Sequence, residues 1–119
     1  MISDEKFRKR EHIIKSADFR KVYKAGRSRK YNAVILYYLP NGLDHTRIGF
    51  SIGSRFVKSA KMRNRIRRVL REIFRKTKTR IKKEVDLVIV VKSGLGGKVT
   101  YQTLEPVFSR LAREAGLIP

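Results

Sequence analysis

Residues 59–75 read Ser59-Ala60-Lys61-Met62-Arg63-Asn64-Arg65-Ile66-Arg67-Arg68-Val69-Leu70-Arg71-Glu72-Ile73-Phe74-Arg75. Met62, Ile66, Val69, Leu70, Ile73 and Phe74 recur at three- and four-residue steps. That spacing lines one side of an α-helix and cannot line one side of a strand. It predicts a helix over about 60–77, with a core face and a second face of Asn64, Arg67, Arg68, Arg71 and Arg75. Arg63 and Arg65 flank the apolar stripe. Glu72 stands four residues from both Arg68 and Lys76, a spacing that predicts ion pairing with each.

The charge of the whole chain follows this pattern. Its 119 residues carry a net charge of +20, and the pI is about 11.0. Residues 54–80 hold 12 basic residues against one acidic, and 1–30 hold 11 against four. Residues 31–53 are neutral and 81–119 carry only +2. Charge concentrated in two blocks makes a patch, and a patch of this size implies a polyanionic partner. Arginine forks bind phosphate bidentately and stack on bases better than lysine does. Asn64 adds a two-way hydrogen bonder among them.

Other chemistries find little support. The absence of cysteine removes disulfides, thiolate catalysis and Cys-type zinc sites. His12 and His45 lie far apart, without ligand-like spacing, and read as surface or loop residues. The ten acidic residues form no close carboxylate constellation of the two-metal kind. No apolar run approaches the ~18 residues of a membrane span. Met1–Glu11 alternates charge without an apolar core, so a cytoplasmic location is expected rather than secretion.

Along the chain, 1–15 reads as an extended basic segment with Phe7, Ile13 and Ile14 as anchors. Ser16 is a candidate N-cap, Asp18 suits the first turn, and Phe19, Val22 and Tyr23 share one helix face. Gly26 is placed to end that helix, expected over 17–25. Arg27–Lys30 reads as a basic loop. Ala33–Leu39 is a strand covered on both sides, and Pro40-Asn41-Gly42 signals a tight hairpin into a strand over Thr46–Ile52. On that second strand Ile48, Phe50 and Ile52 share a face. Asp86–Val91 is a buried strand. The loop 93–97 is glycine-rich but fits no phosphate-binding pattern. A last helix carries Leu104, Val107, Phe108, Leu111 and Ala115, with Thr100 and Thr103 as alternative caps; Pro106 favours Thr103. The order is α-β-β-α-β-α, with room for a short extra strand around Asn32. It describes a single-domain α+β sandwich with one antiparallel pair. Phe19, Tyr23 and Tyr37 offer stacking surfaces for unpaired bases, although periodicity alone favours ordinary core packing. RNA is preferred to DNA, because no helix-turn-helix or dimer signal accompanies an arginine face better suited to backbone contact.

The segment Ala60-x-x-Arg63-Asn64-Arg65-x-Arg67-Arg68-x-x-Arg71 resembles the RNR signature of the bacterial ribonuclease P protein subunit. Asp18-Phe19-x-x-Val22-Tyr23-x-x-Gly26 resembles that family's first helix. Arg47-Ile48-Gly49-Phe50-Ser51 and Asp86–Val91 resemble the strands on either side of its signature. The approach Ser54–Ala60 departs from the family pattern, lacking its glycine and running one residue longer. The resemblance implies a left-handed βαβ crossover and one RNA-binding domain over 1–119. It implies the protein subunit of an endoribonuclease whose RNA subunit performs Mg²⁺-dependent hydrolysis, so that no catalytic residue and no metal is expected on this chain. It also implies two partners, ribonuclease P RNA and precursor tRNA, with no membrane and no protein partner required. By the same resemblance Arg63, Asn64, Arg65, Arg67, Arg68 and Arg71 would meet the catalytic RNA. Phe19, Tyr23 and Tyr37 would line a cleft for the single-stranded 5′ leader.

Overall fold

The computed structural model describes residues 9–82, 84–92 and 99–119. Its elements are α1 (Ser16–Ala25), β1 (Arg27–Tyr31), β2 (Val34–Pro40), β3 (Arg47–Ile52), α2 (Ala60–Thr77), β4 (Val85–Val91) and α3 (Tyr101–Glu114). The glycine-rich stretch 93–97, Phe7 with the rest of 1–8, and Lys83 lie outside the described residues. This is a mixed α+β fold, and the short extra strand for which the sequence order left room around Asn32 forms just before that residue, as β1. Arg27–Lys30 is an edge strand, not a loop. It pairs antiparallel with β2 through a turn at Asn32, whose φ is +53°. Four of its five residues are exposed, so no hydrophobic alternation betrays it. Charged side chains on an edge strand also discourage pairing with another chain.

The strands lie in the order β1-β2-β4-β3. This overturns the expected β2–β3 hairpin, because β4 inserts between the two. It pairs antiparallel with β2 and parallel with β3. The Asn41-Gly42 turn does form, with Gly42 at φ +68°, but it serves to cross the end of β4. The Asn41 side chain accepts from Leu43 N at 2.9 Å and donates to Asp86 Oδ1 at 2.9 Å. β3, α2 and β4 thus make a parallel βαβ unit between adjacent strands.

One sheet face carries the main core. Ile66, Leu70, Ile73 and Phe74 of α2 are buried there against Ile48, Leu36, Leu87 and Ile89, with Leu104, Phe108 and Leu111 of α3. Met62 and Val69 pack at the margin, so the stripe read from 59–75 is the core face. Ser59 caps α2 by accepting from Met62 N at 3.2 Å. α3 begins earlier than Pro106 suggested. Thr100 is the cap, in a reciprocal box with Thr103, and Pro106 falls inside the helix. At its far end Leu117 N and Gly116 N donate to Ala112 O and Arg113 O, each at 2.9 Å. With Gly116 at φ +75° this is a Schellman closure.

On the opposite face, among the described residues, α1 packs over a smaller cluster of Ile13, Val22 and Val88. α1 differs from expectation at both ends. Lys15 occupies the cap position without a side-chain bond, and Ser16 is already helical. Gly26 has an extended backbone (φ −81°, ψ 169°) rather than a left-handed one. Glycine is needed there because a Cβ would lie 2.5 Å from Val22 O and 2.7 Å from Tyr38 O. Among the described residues no helix is long and apolar enough to cross a membrane.

Candidate nucleic-acid interface

The basic residues of α2 divide into anchored and open groups. Arg63 donates to Val57 O at 2.8 Å and Lys58 O at 3.1 Å, and so clamps the 53–59 connection to the helix. Arg65 Nε donates to Val99 O at 2.7 Å and ties the head of α3 to α2. Arg67 reaches Asn64 Oδ1 at 3.3 Å. Each guanidinium has five N–H donors, so all three keep donors facing outward. Arg68 and Arg71 are exposed, and among the described residues no hydrogen bond or ion pair engages either. Glu72 binds Arg75 through both oxygens and lies 4.0 Å from Lys76. The expected Lys76 contact therefore forms, whereas Arg75 takes the place expected for Arg68. His12 stands near this row. Its burial, and then the positive charge of Arg71, hold its imidazole below the usual range, so it adds no charge at neutral pH.

Phe19, Tyr23 and Tyr37 do come together, on the other side of the sheet. The Tyr23 and Tyr37 rings meet edge to face at 5.1 Å, and Phe19 lies 6.5 Å from Tyr23. Val22, between them in sequence, is fully buried, while Tyr23 stays 39% exposed. The rings are neither core nor free surface: Phe19 and Tyr37 pack on the margin of the small cluster. Gly49 makes this possible. A Cβ there would stand 2.5 Å from Phe19 Cζ and 3.2 Å from Ile13 Cβ. Paired residues share a face, so Ser28, Tyr37, Val88 and Gly49 form one row across the sheet. The next row is Lys30, Ile35, Val90 and Ser51. Lys30 thus borders the cleft, a placement hidden from a sequence reading that took β1 for a loop.

Below the rings, Asp86 is 6% exposed and fully engaged. Arg47 donates to it bidentately at 2.9 and 2.6 Å, and Asn41 adds a third bond. Arg47 also stands 3.6 Å from Asp18 of α1. Donating to the Asp86 carboxylate raises the Arg47 pKa still further. This network locks α1, β3, β4 and the 41–46 loop to one another. A carboxylate opening an otherwise apolar strand was the sequence signal for it, since a buried charge requires a partner.

The segment before α1 links the two faces. Glu11 and Lys78 form an ion pair at 2.8 Å with both side chains about nine-tenths buried. Ile13 N donates to Ile48 O at 2.9 Å, and His12 bridges to Ile48 along the outer edge of β3. The arginine face and the aromatic cleft are therefore not neighbours on one side. The sheet lies between them, and residues 11–13 wrap the edge that joins them.

Among the described residues no three His, Asp or Glu side chains gather to hold a metal ion. Asp18 and Asp86, the carboxylates nearest the cleft, converge on a guanidinium instead.

Known proteins resemble this chain in sequence and fold. The ribonuclease P protein component of Syntrophomonas wolfei is 34% identical over 109 residues, spanning 92% of this chain and 90% of that protein. That of Thermoanaerobacter sp. strain X514 is 40% identical over 85 residues, 71% of this chain and 72% of its own. The solved structure of the Staphylococcus aureus RNase P protein superposes with a TM-score of 0.81 at 26% identity, covering 92% of this chain and 98% of that one. The Thermotoga maritima protein gives 0.75 at 29% identity, covering 87% and 96%. Residues 7–116 match the family profile described as Ribonuclease P, and the chain belongs to the family of bacterial ribonuclease P protein components.

Proposed function

We propose that this chain acts as one RNA-binding domain and binds two RNAs at once within ribonuclease P, the enzyme of tRNA 5′ processing. Arg63, Asn64, Arg65, Arg67, Arg68 and Arg71 meet the catalytic RNA. Phe19, Tyr23 and Tyr37 receive the single-stranded 5′ leader of precursor tRNA. The supporting observation is the pairing of an arginine-rich helix on one sheet face with half-buried, glycine-seated rings on the other. Phosphate contacts on α2 would position the protein, and ring stacking would hold leader bases with little regard to sequence. Hydrolysis in this reading belongs to the RNA subunit with its Mg²⁺, in the cytoplasm. The described carboxylates of this chain do not fit a metal site, and no step uses one held by the protein.

The leader assignment is tested by affinity. Bound to a bacterial ribonuclease P RNA, the protein should favour leader-bearing over mature tRNA. Tyr37→Ala should cut that preference by roughly tenfold, as expected for losing one stacked base. An unchanged ratio removes Tyr37 from the leader path. The arginine face has its own readout, the salt dependence of RNA binding. Arg68→Ala should weaken binding and flatten the log–log slope by about one unit for each phosphate left unneutralised. A slope equal to that of the unmodified protein takes Arg68 out of the interface.

A further inference from the structure

β3 carries the floor of the aromatic cleft past its three rings. It runs from Gly49, under Phe19, through Ser51 of the next row, and the chain then reaches Gly53. There a fourth ring, Phe56, lies against the backbone, its Cδ2 3.5 Å from where a Cβ on Gly53 would stand. The rest of the ring is open, and Phe56 is 51% exposed. Among the described residues the other exposed large apolar side chains are Tyr23, already in the cleft, and Ile14 and Leu43, which have no flat face. Four residues of extended chain span roughly 13 Å, so Phe56 stands a few nucleotides further along the same path.

One exposed phenyl is ordinary on a protein surface. Phe56 differs in how firmly it is held and in what surrounds it. Phe56 N and Val57 N both donate to Gly53 O, at 3.1 and 2.9 Å. Val57 is buried in the main core, and Arg63 holds Val57 O and Lys58 O from α2. The ring is thus presented on a fixed turn, and a partner need not order it. Residues 54–61 hold three cations, Arg55, Lys58 and Lys61, and no acid. Among the described residues no hydrogen bond or ion pair engages those three side chains. Free cations draw a phosphate chain, and an open ring beside them offers its bases a face. Phe56 falls in Ser54–Ala60, the stretch that departs from the family pattern. We propose that Phe56 is a stacking platform for one further unpaired base of the 5′ leader, beyond the three rings of the cleft. The proposal rests on the reading of that cleft as the leader path and lengthens it by one base subsite.

The full chain is reconstituted with a bacterial ribonuclease P RNA, and its affinities for leader-bearing and mature tRNA are compared. Phe56→Ala should cut the preference for leader-bearing tRNA roughly tenfold, the loss of one stacked base. Affinity for mature tRNA and the salt dependence of binding should stay unchanged, because no phosphate contact is lost. Phe56→Leu keeps apolar bulk and should lose the preference equally, whereas Phe56→Tyr should retain it. Leaders with a single abasic nucleotide at successive positions locate the base. At one position the abasic loss should not add to that of Phe56→Ala, since both remove the same contact. An unchanged preference, a preference that survives Phe56→Leu, or losses that add in full at every position would overturn the platform. Weaker binding of the protein to the ribonuclease P RNA itself would also overturn it, by assigning the ring to that RNA. Tyr37→Ala serves as the separate check. If it too leaves the preference unchanged, the leader reading of the cleft falls; if it alone lowers the preference, only the Phe56 platform falls.

Discussion

Asp86→Ala should destabilise the protein by about 3 kcal/mol, near the lower end of the cost of stripping one partner from a buried ion pair. The reason lies in what remains. Arg47 would keep its place between β3 and α1 with a guanidinium only partly open to water, and the Asn41 amide would lose its acceptor. Asp18, at 3.6 Å, is too distant to replace two bonds of 2.6 and 2.9 Å. Urea unfolding followed by circular dichroism gives the number directly. The midpoint should fall with little change in slope, since the surface exposed on unfolding is nearly the same. Replacing both partners, Arg47→Met with Asp86→Leu, should recover much of the loss, because no unpaired charge is left. A loss below about 1 kcal/mol for Asp86→Ala would mean the network is solvated, as surface pairs are.

Gly49→Ala should damage the proposed leader cleft more than it damages the fold. The added methyl would enter the space of Phe19, 2.5 Å from Cζ and 2.7 Å from Cε1. The ring must move, and the opposing Ile13 Cβ at 3.2 Å limits any shift of the strand. Overpacking of this kind costs about 1–3 kcal/mol, which a domain of this size can carry. Phe19 would leave its position beside Tyr23, and the preference for leader-bearing tRNA should drop to the level of Phe19→Ala. Affinity for ribonuclease P RNA should stay within about twofold, since α2 lies across the sheet and distant sites act independently. Retention of the full leader preference would separate Phe19 from the leader.

Both substitutions act on features that the sequence showed only in part. α2 was legible because its apolar stripe is a local signal that tertiary packing reinforced. Strand β4 was equally plain, being apolar on both faces and central in the sheet. Strand β1 was hidden because an exposed edge strand buries almost nothing, so Arg27–Lys30 had no reason to alternate. The Asn41-Gly42 signal was real, but turn chemistry describes four residues and not which strands become neighbours. Only the long-range pairing of β4 decides that. The α3 start was misplaced because Pro106 suggested a boundary, whereas the Thr100–Thr103 box determined it. The aromatic trio was ambiguous from periodicity alone. Tyr23 and Val22 follow one another on α1, yet one is 39% exposed and the other sealed, a difference set by which side of the helix meets Ile13 and Val88.

Partnership of this chain with a catalytic RNA is the central claim. Reconstitution tests it most directly: the protein is mixed with a bacterial ribonuclease P RNA at low Mg²⁺, and precursor-tRNA cleavage is followed over time. Cleavage at the mature 5′ end should appear with both components present and be lacking with either alone. No stimulation by the protein would contradict the claim, and so would RNA cleavage by the protein without the RNA subunit.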